Sequence, residues 1–190
     1  AGSALSMIGM LDSAIDDITE LDKCETLTEY EPVLSASGNE IVFSNVSFSY
    51  GKNEVLKNIS TVIKEGELTA VIGPSGSGKT TLCQLIPRFR DVSSGTVSIG
   101  GADVRHIKYE EIMARISMVF QRVYLIEDTV MNNIRFGKPD ASDEEVYAAT
   151  RAARCDDFIR KLPNGYDTVL SEGGSSLSGG EKQRISIARA

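Results

Sequence analysis

What the 190-residue sequence is short of narrows its chemistry first. It has a single histidine, His106, and three cysteines, Cys24, Cys83 and Cys155, far apart and odd in number. The short spacings of a zinc site or a redox pair are missing, so the cysteines read as reduced packing residues of a cytosolic protein. His106 sits in a polar loop and reads as solvent-exposed. No apolar run approaches the length that crosses a bilayer, and the N-terminus lacks a basic start followed by a hydrophobic stretch. The chain as given therefore reads as soluble. Excess positive charge is missing as well. The formal net charge is −7, and residues 1–40 hold nine acidic side chains against Lys23 alone, which leaves residues 41–190 close to neutral. Without a basic, aromatic-laced stripe, nothing favours nucleic acid as a partner.

What is present centres on Gly73-Pro74-Ser75-Gly76-Ser77-Gly78-Lys79-Thr80, a glycine, four residues, then Gly-Lys-Thr. This is the pattern of a P-loop. The apolar run Leu68–Ile72 before it suits a buried parallel strand, and Thr80–Ile86 after it reads as a helix. Glycines let the backbone curl until successive N–H groups face a phosphate, and the helix dipole adds to the attraction. Lys79 is expected to reach the β- and γ-phosphates and Thr80 to hold Mg²⁺ through its hydroxyl.

Along the chain, Leu5, Ile8, Leu11, Ile15, Ile18 and Leu21 recur at helical spacing, which predicts an amphipathic helix over 4–21. A linker through Glu31-Pro32 and Ser35–Gly38 puts a domain boundary near residue 39. Strands are expected at Ile41–Tyr50 and Asn58–Lys64, as antiparallel neighbours of the nucleotide site. Gly95–Ile99 reads as a further strand, Lys108–Ala114 as a short helix and Ile116–Phe120 as a buried strand. Carboxyl ends of parallel strands line the ligand crevice, so Gln121 would offer its amide oxygen to Mg²⁺ or an attacking water. Helices follow at Thr129–Arg135, Ser142–Ala153 and Cys155–Leu162. Ser142 and Glu145 carry the spacing of a capping box.

The second strong element is Leu177-Ser178-Gly179-Gly180-Glu181. Ser178 can cap a helix whose first N–H groups, uncovered by glycine side chains, make a second anion site.

Together these residues resemble the nucleotide-binding domain of ATP-binding cassette (ABC) transporters, with Leu177–Glu181 similar to that family's signature motif, about 97 residues beyond the P-loop. Phe48-Ser49-Tyr50, Val119-Phe120-Gln121, Thr129–Ile134 and Leu162–Thr168 resemble the exporter branch. The likeness covers about residues 39–190, and residues 1–38 resemble the stretch leading out of the last membrane helix. It implies an α/β P-loop NTPase with a mostly parallel core sheet, an antiparallel β subdomain and an α-helical subdomain. It also implies an ATPase that uses ATP and Mg²⁺. Tyr50 would stack on adenine, and Gly73–Thr81, including Thr81, would form the phosphate loop. Lys79 and Gln121 would serve catalysis, with Thr80 and Gln121 on the metal and Gln121 sensing the membrane domain. Ser178, Gly179 and Gly180 would bind the γ-phosphate of ATP held by a second nucleotide-binding domain, the two meeting head to tail. The partners implied are that domain and the transmembrane domain of the same transporter, on the cytoplasmic side of a membrane.

In the family, an acidic residue completing the Mg²⁺ site, a catalytic glutamate and a switch histidine lie downstream of the signature helix. Here the chain stops at Ala190 in mid-helix, so a truncated domain, inert or nearly so, is expected. Val123–Asp128 imitates the acidic strand, but in reversed order and in the wrong place. Two other readings compete. A soluble cassette protein acting on DNA or ribosomes would lack an upstream hydrophobic span. A P-loop small-molecule kinase would phosphorylate an added acceptor and leave Leu177–Glu181 idle.

Overall fold

The computed structural model describes Leu27, Thr28 and residues 30–190, so the helix expected over 4–21 and Cys24 lie outside the described residues. The chain divides into two compact units, one ending at Arg115 and one spanning Ile116–Ala190.

In the first unit β1 (Ile41–Tyr50) and β2 (Asn53–Ile63) form an antiparallel hairpin closed by Gly51 and Lys52, with Tyr50 opposite Asn53. Gly51 takes φ 58°, the left-handed conformation that a two-residue hairpin turn demands. The other edge of β1 pairs with β3 (Ser94–Ile99), which pairs with β4 (Ala102–Asp103), giving the order β2-β1-β3-β4. Two asparagines, Asn45 and Asn58, bulge with φ near 50°. Each freed N–H finds a serine across the hairpin: Asn45 donates to Ser60 Oγ at 2.9 Å and Asn58 to Ser47 Oγ at 3.0 Å. The first bulge resets the alternation, so Phe43, Val46 and Phe48 are all buried, as are Leu56, Val97, Ile99 and Leu85 of the same unit. Each such side chain stabilises the unit by about 1.5–3 kcal/mol.

α1 (Lys79–Leu85) follows the glycine loop, and α2 (Tyr109–Arg115) buries Ile112. The stretch expected as a linker is hydrogen-bonded to this unit. Leu34 N–H donates to the His106 carbonyl at 2.7 Å and Ser37 N–H to the Gly100 carbonyl at 3.0 Å. Arg115 donates to the carbonyls of Ala36 and Gly38. His106 is half-buried rather than exposed, because its Nδ1 lies 3.0 Å from the Pro32 carbonyl and its ring packs on Tyr30.

Two expectations need correction. Leu68–Ile72 and Ile116–Phe120 are not strands, and Leu68 and Ile72 are 100% and 91% exposed. Apolar composition alone makes no strand. A parallel ladder needs a neighbour, and among the described residues neither segment has one, so the paired sheet is the antiparallel one.

The second unit is helical: α3 (Val130–Arg135), α4 (Asp143–Ala152), α5 (Asp156–Ile159) and α6 (Gly179–Arg189). They close around Leu125, Val130, Ile134, Val146, Cys155, Ile159, Leu170 and Ile185. Ser142 and Glu145 form the expected capping box. The helix expected over Cys155–Leu162 is regular only through α5, ahead of a turn ending at Gly165. Of the two described cysteines Cys155 is buried, as a packing residue should be, whereas Cys83 is exposed.

Two polar groups are buried at this core. Asn133, fully buried in α3, donates to the carbonyls of Ile126, Asp128 and Thr129, while its Oδ1 accepts from Ile126 N–H and Arg189. Tyr166 OH donates to Asp156 Oδ1 at 2.5 Å and lies 2.6 Å from Thr150 Oγ1.

Candidate functional site

The glycine loop is shaped by its own steric needs. Gly76 and Gly78 take φ 79° and 84°, a region that side-chain-bearing residues avoid. A Cβ on Gly73 would meet Ser77 Oγ at 2.7 Å, and one on Gly78 would meet Leu56 Cδ2 at 2.7 Å, so β2 backs the loop where α1 begins. Ser77 N–H donates to the Pro74 carbonyl at 3.3 Å and closes the turn over Ser75 and Gly76. Lys79 folds back over it, with Nζ donating to the carbonyls of Gly73 at 2.9 Å and Pro74 at 2.7 Å. The ammonium is thus held at the loop's rim by two neutral acceptors, ready to attract an anion.

Thr80 is exposed and Thr81 buried, so of two adjacent hydroxyls only Thr80 faces outward. Thr81 Oγ1 lies 3.4 Å from Tyr50 OH, which brings the end of β1 to the first turn of α1. The Tyr50 ring meets Phe48 edge-on, with centroids 4.9 Å apart. Beside it opens a cavity of about 710 Å³ whose walls include Tyr50, Gly51, Arg90 and Asp91. Sequence reasoning missed Arg90, whose guanidinium carbon lies 5.0 Å from the Tyr50 ring centroid. No motif pointed to it, and only its position 40 residues after Tyr50 on a folded-back chain reveals it.

In the second unit Ser178 caps α6, with Oγ accepting from Glu181 N–H at 3.4 Å while Glu181 Oε2 accepts from Ser178 N–H at 2.7 Å. The Ser178 hydroxyl, which also donates to Glu181 Oε2 at 2.7 Å, and then the Ser178 N–H hold the Glu181 carboxyl below its usual range. Gly179 and Gly180 differ from the loop glycines. Their φ is not positive, a Cβ on Gly179 would meet nothing within 4 Å, and one on Gly180 only Arg184 at an ordinary 3.6 Å. Nothing inside the described residues requires them to be glycine, and each weakens its helix by up to about 1 kcal/mol.

Gln121 is exposed in a bend, not at the end of a strand as expected. The segment after it is fastened to α6 by Arg189, which donates to the Tyr124 carbonyl at 3.0 Å and the Asn133 carbonyl at 2.8 Å. Asp128 has a local role: its Oδ1 accepts from Thr129 N–H at 2.7 Å and Asn132 Nδ2 at 2.9 Å, which holds its carboxyl below the usual range. It is a turn residue before α3, not the end of an acidic strand. The structure therefore brings together Tyr50, Gly73–Thr81 and Arg90 in the first unit. Gln121 and Ser178–Gly180 belong to the second.

A glycine turn with a lysine ammonium folded onto it, opening a helix beside an antiparallel sheet, defines a phosphate-loop nucleotide-binding domain. Residues 56–190 match the family model described as ABC transporter, and the chain belongs to that family. It is 49% identical over 150 residues to the ATP-dependent lipid A-core flippase of Desulfotalea psychrophila, covering 79% of this chain and 26% of that protein. It is 47% identical over 150 residues to the mycobactin import ATP-binding/permease protein IrtB of Mycolicibacterium thermoresistibile, covering 79% and 26%. The solved structure of a bacterial Atm1-family ABC exporter with ATP bound is similar with a TM-score of 0.84 and 37% identity, over 97% of this chain and 34% of that one. This chain thus spans about a quarter of the length of the two curated relatives. These relatives lend no support to a DNA- or ribosome-acting cassette protein or to a small-molecule kinase. Among the described residues no helix is long and apolar enough to cross a membrane.

Proposed function

We propose that this chain is the ATP-binding module of an ABC exporter, on the cytoplasmic side of a membrane. Residues 1–38 would join it to a transmembrane domain that it drives. ATP would lie with its base on Tyr50 and its triphosphate in Gly73–Thr81, with Lys79 moving from the Gly73 and Pro74 carbonyls onto the β- and γ-phosphates. Mg²⁺ suits the donor set. It keeps water and phosphate oxygens as ligands and asks for few from the protein. Among the described residues no group of three or more His, Cys, Asp or Glu could hold a metal, while Thr80 turns its hydroxyl outward. Once bound, the ion would neutralise charge between the β- and γ-phosphates, with Thr80 and Gln121 as its protein ligands.

Ser178, Gly179 and Gly180 would face the γ-phosphate of ATP held by a second such domain, in a head-to-tail pair. Uncovered N–H groups at the start of α6 favour an anion, and the pair would persist only while that phosphate is present. By itself the chain would bind Mg·ATP and scarcely turn it over, because the Asp128 carboxylate serves the start of α3 rather than a water.

The observation that carries this reading is the first-unit constellation: Lys79 folded over a left-handed glycine turn, with Tyr50 joined to Thr81 beside it. Equilibrium titration with Mg·ATP should show saturable binding that Lys79→Ala weakens at least tenfold, since a hydrogen bond to a charged group contributes about 1.5–3 kcal/mol. Equal affinity in both proteins would refute it, and phosphate release near 1 s⁻¹, about the low end for enzymes, would refute the lack of turnover.

A further inference from the structure

We propose that Arg90 is a base-positioning residue of this site: its guanidinium lies on one face of the Tyr50 ring and holds that ring ready to stack a purine on the other. The proposal rests on the reading of Tyr50 as the base platform and adds a residue to it. Three contacts fix the ring. Phe48, itself buried, meets it edge-on with centroids 4.9 Å apart. Thr81 Oγ1 lies 3.4 Å from the phenol oxygen and ties it to α1. Arg90 places its guanidinium carbon 5.0 Å from the ring centroid, inside the roughly 6 Å reach of a cation–π contact. Tyr50 nevertheless stays 41% exposed, which leaves ring surface open to a base.

The local charge pattern favours this role for Arg90 over an ordinary ion pair. Its neighbour Asp91 is engaged by Arg88, whose Nε and Nη2 donate to the carboxylate at 2.7 and 3.1 Å. Arg88 is itself buried, and its other bonds go to the carbonyls of Thr28 and Arg105. The turn carrying Arg90 is therefore held firmly, while among the described residues Arg90 enters no salt bridge. Its planar cation remains on the phenol ring. There it draws π density toward itself and leaves the opposite face better matched to an electron-rich purine.

The test measures Mg·ATP and Mg·tripolyphosphate binding in the wild-type chain and in Arg90→Ala, Tyr50→Ala and the double variant. Tripolyphosphate has the phosphates without the base. Arg90→Ala should weaken ATP about three- to tenfold, leave tripolyphosphate unchanged and add nothing further in the Tyr50→Ala background. Because Arg90 is exposed, thermal melting should not shift. Equal losses for both ligands would mean that Arg90 acts as a general phosphate attractor. Tighter ATP binding would mean that it blocks the platform, and full additivity with Tyr50→Ala would mean that the two act separately; each overturns the proposal. If the wild-type chain does not bind Mg·ATP, the nucleotide site itself falls. If it binds and Arg90→Ala matches it, only the role of Arg90 falls.

Discussion

The two glycine-rich helix starts look alike in sequence and differ in what makes them glycine. In the P-loop the reason is internal: Gly78 stands at φ 84° with Leu56 where a Cβ would go. At the start of α6 the space is open and the backbone ordinary, so Gly179 and Gly180 serve no purpose within the described residues. The P-loop glycines are required by their own unit, whereas those at the start of α6 are not.

Substitution at each start should separate the two cases. The largest effect belongs to Gly78→Ala, which adds a Cβ at positive φ against β2. It should destabilise the first unit by about 2 kcal/mol and weaken Mg·ATP binding with it, as read by thermal melting and nucleotide titration. A comparable effect of alkaline pH should fall on the second unit. Burial pushes the Cys155 thiol up to about 11, from 9.0, and the Tyr166 phenol up to about 12, from 10.0, the latter aided by its bond to Asp156. Both groups have folded values above their unfolded ones, so their stabilisation is complete below pH 9 and is lost as pH rises toward 12. Circular dichroism melts should show a loss on the order of 1–3 kcal/mol over that range, and Cys155→Ala should remove its lower part. A loss already complete at pH 8 would contradict the assignment. The smallest effect on stability, and opposite in sign, is expected for Gly180→Ala. It should leave the helix unchanged or stabilise it by up to about 1 kcal/mol, yet abolish the ATP-dependent pairing proposed here, as light scattering with and without Mg·ATP would report. If Gly180→Ala destabilises the unit instead, the contrast between the two helix starts disappears.

The readings that survived rest on local rules. The strands expected at Ile41–Tyr50 and Gly95–Ile99, the cap at Ser142 and the glycine turn at Gly73–Lys79 are each specified within about ten residues of chain. Those that failed needed something distant. Leu68–Ile72 has the composition of a buried strand, but a strand is a relation between two segments and no described segment pairs with it. His106 looked exposed because the Pro32 carbonyl that meets it lies 74 residues away. The role of Asn133, a polar residue in a helix, was invisible until five backbone and side-chain partners closed around it, among them Arg189, 56 residues on.

By itself, then, the order of residues determined which chemistry is on offer: a glycine-rich P-loop turn, a lysine, a tyrosine at the end of a strand and a second capped helix start. Each is a short-range pattern with its own steric logic. Tertiary structure alone decided which groups meet: Arg90 on Tyr50, Arg88 on the incoming segment, Arg189 on Asn133. Their partners are ring faces and backbone carbonyls, present at nearly every position, and only folding selects which carbonyl or ring a given guanidinium reaches.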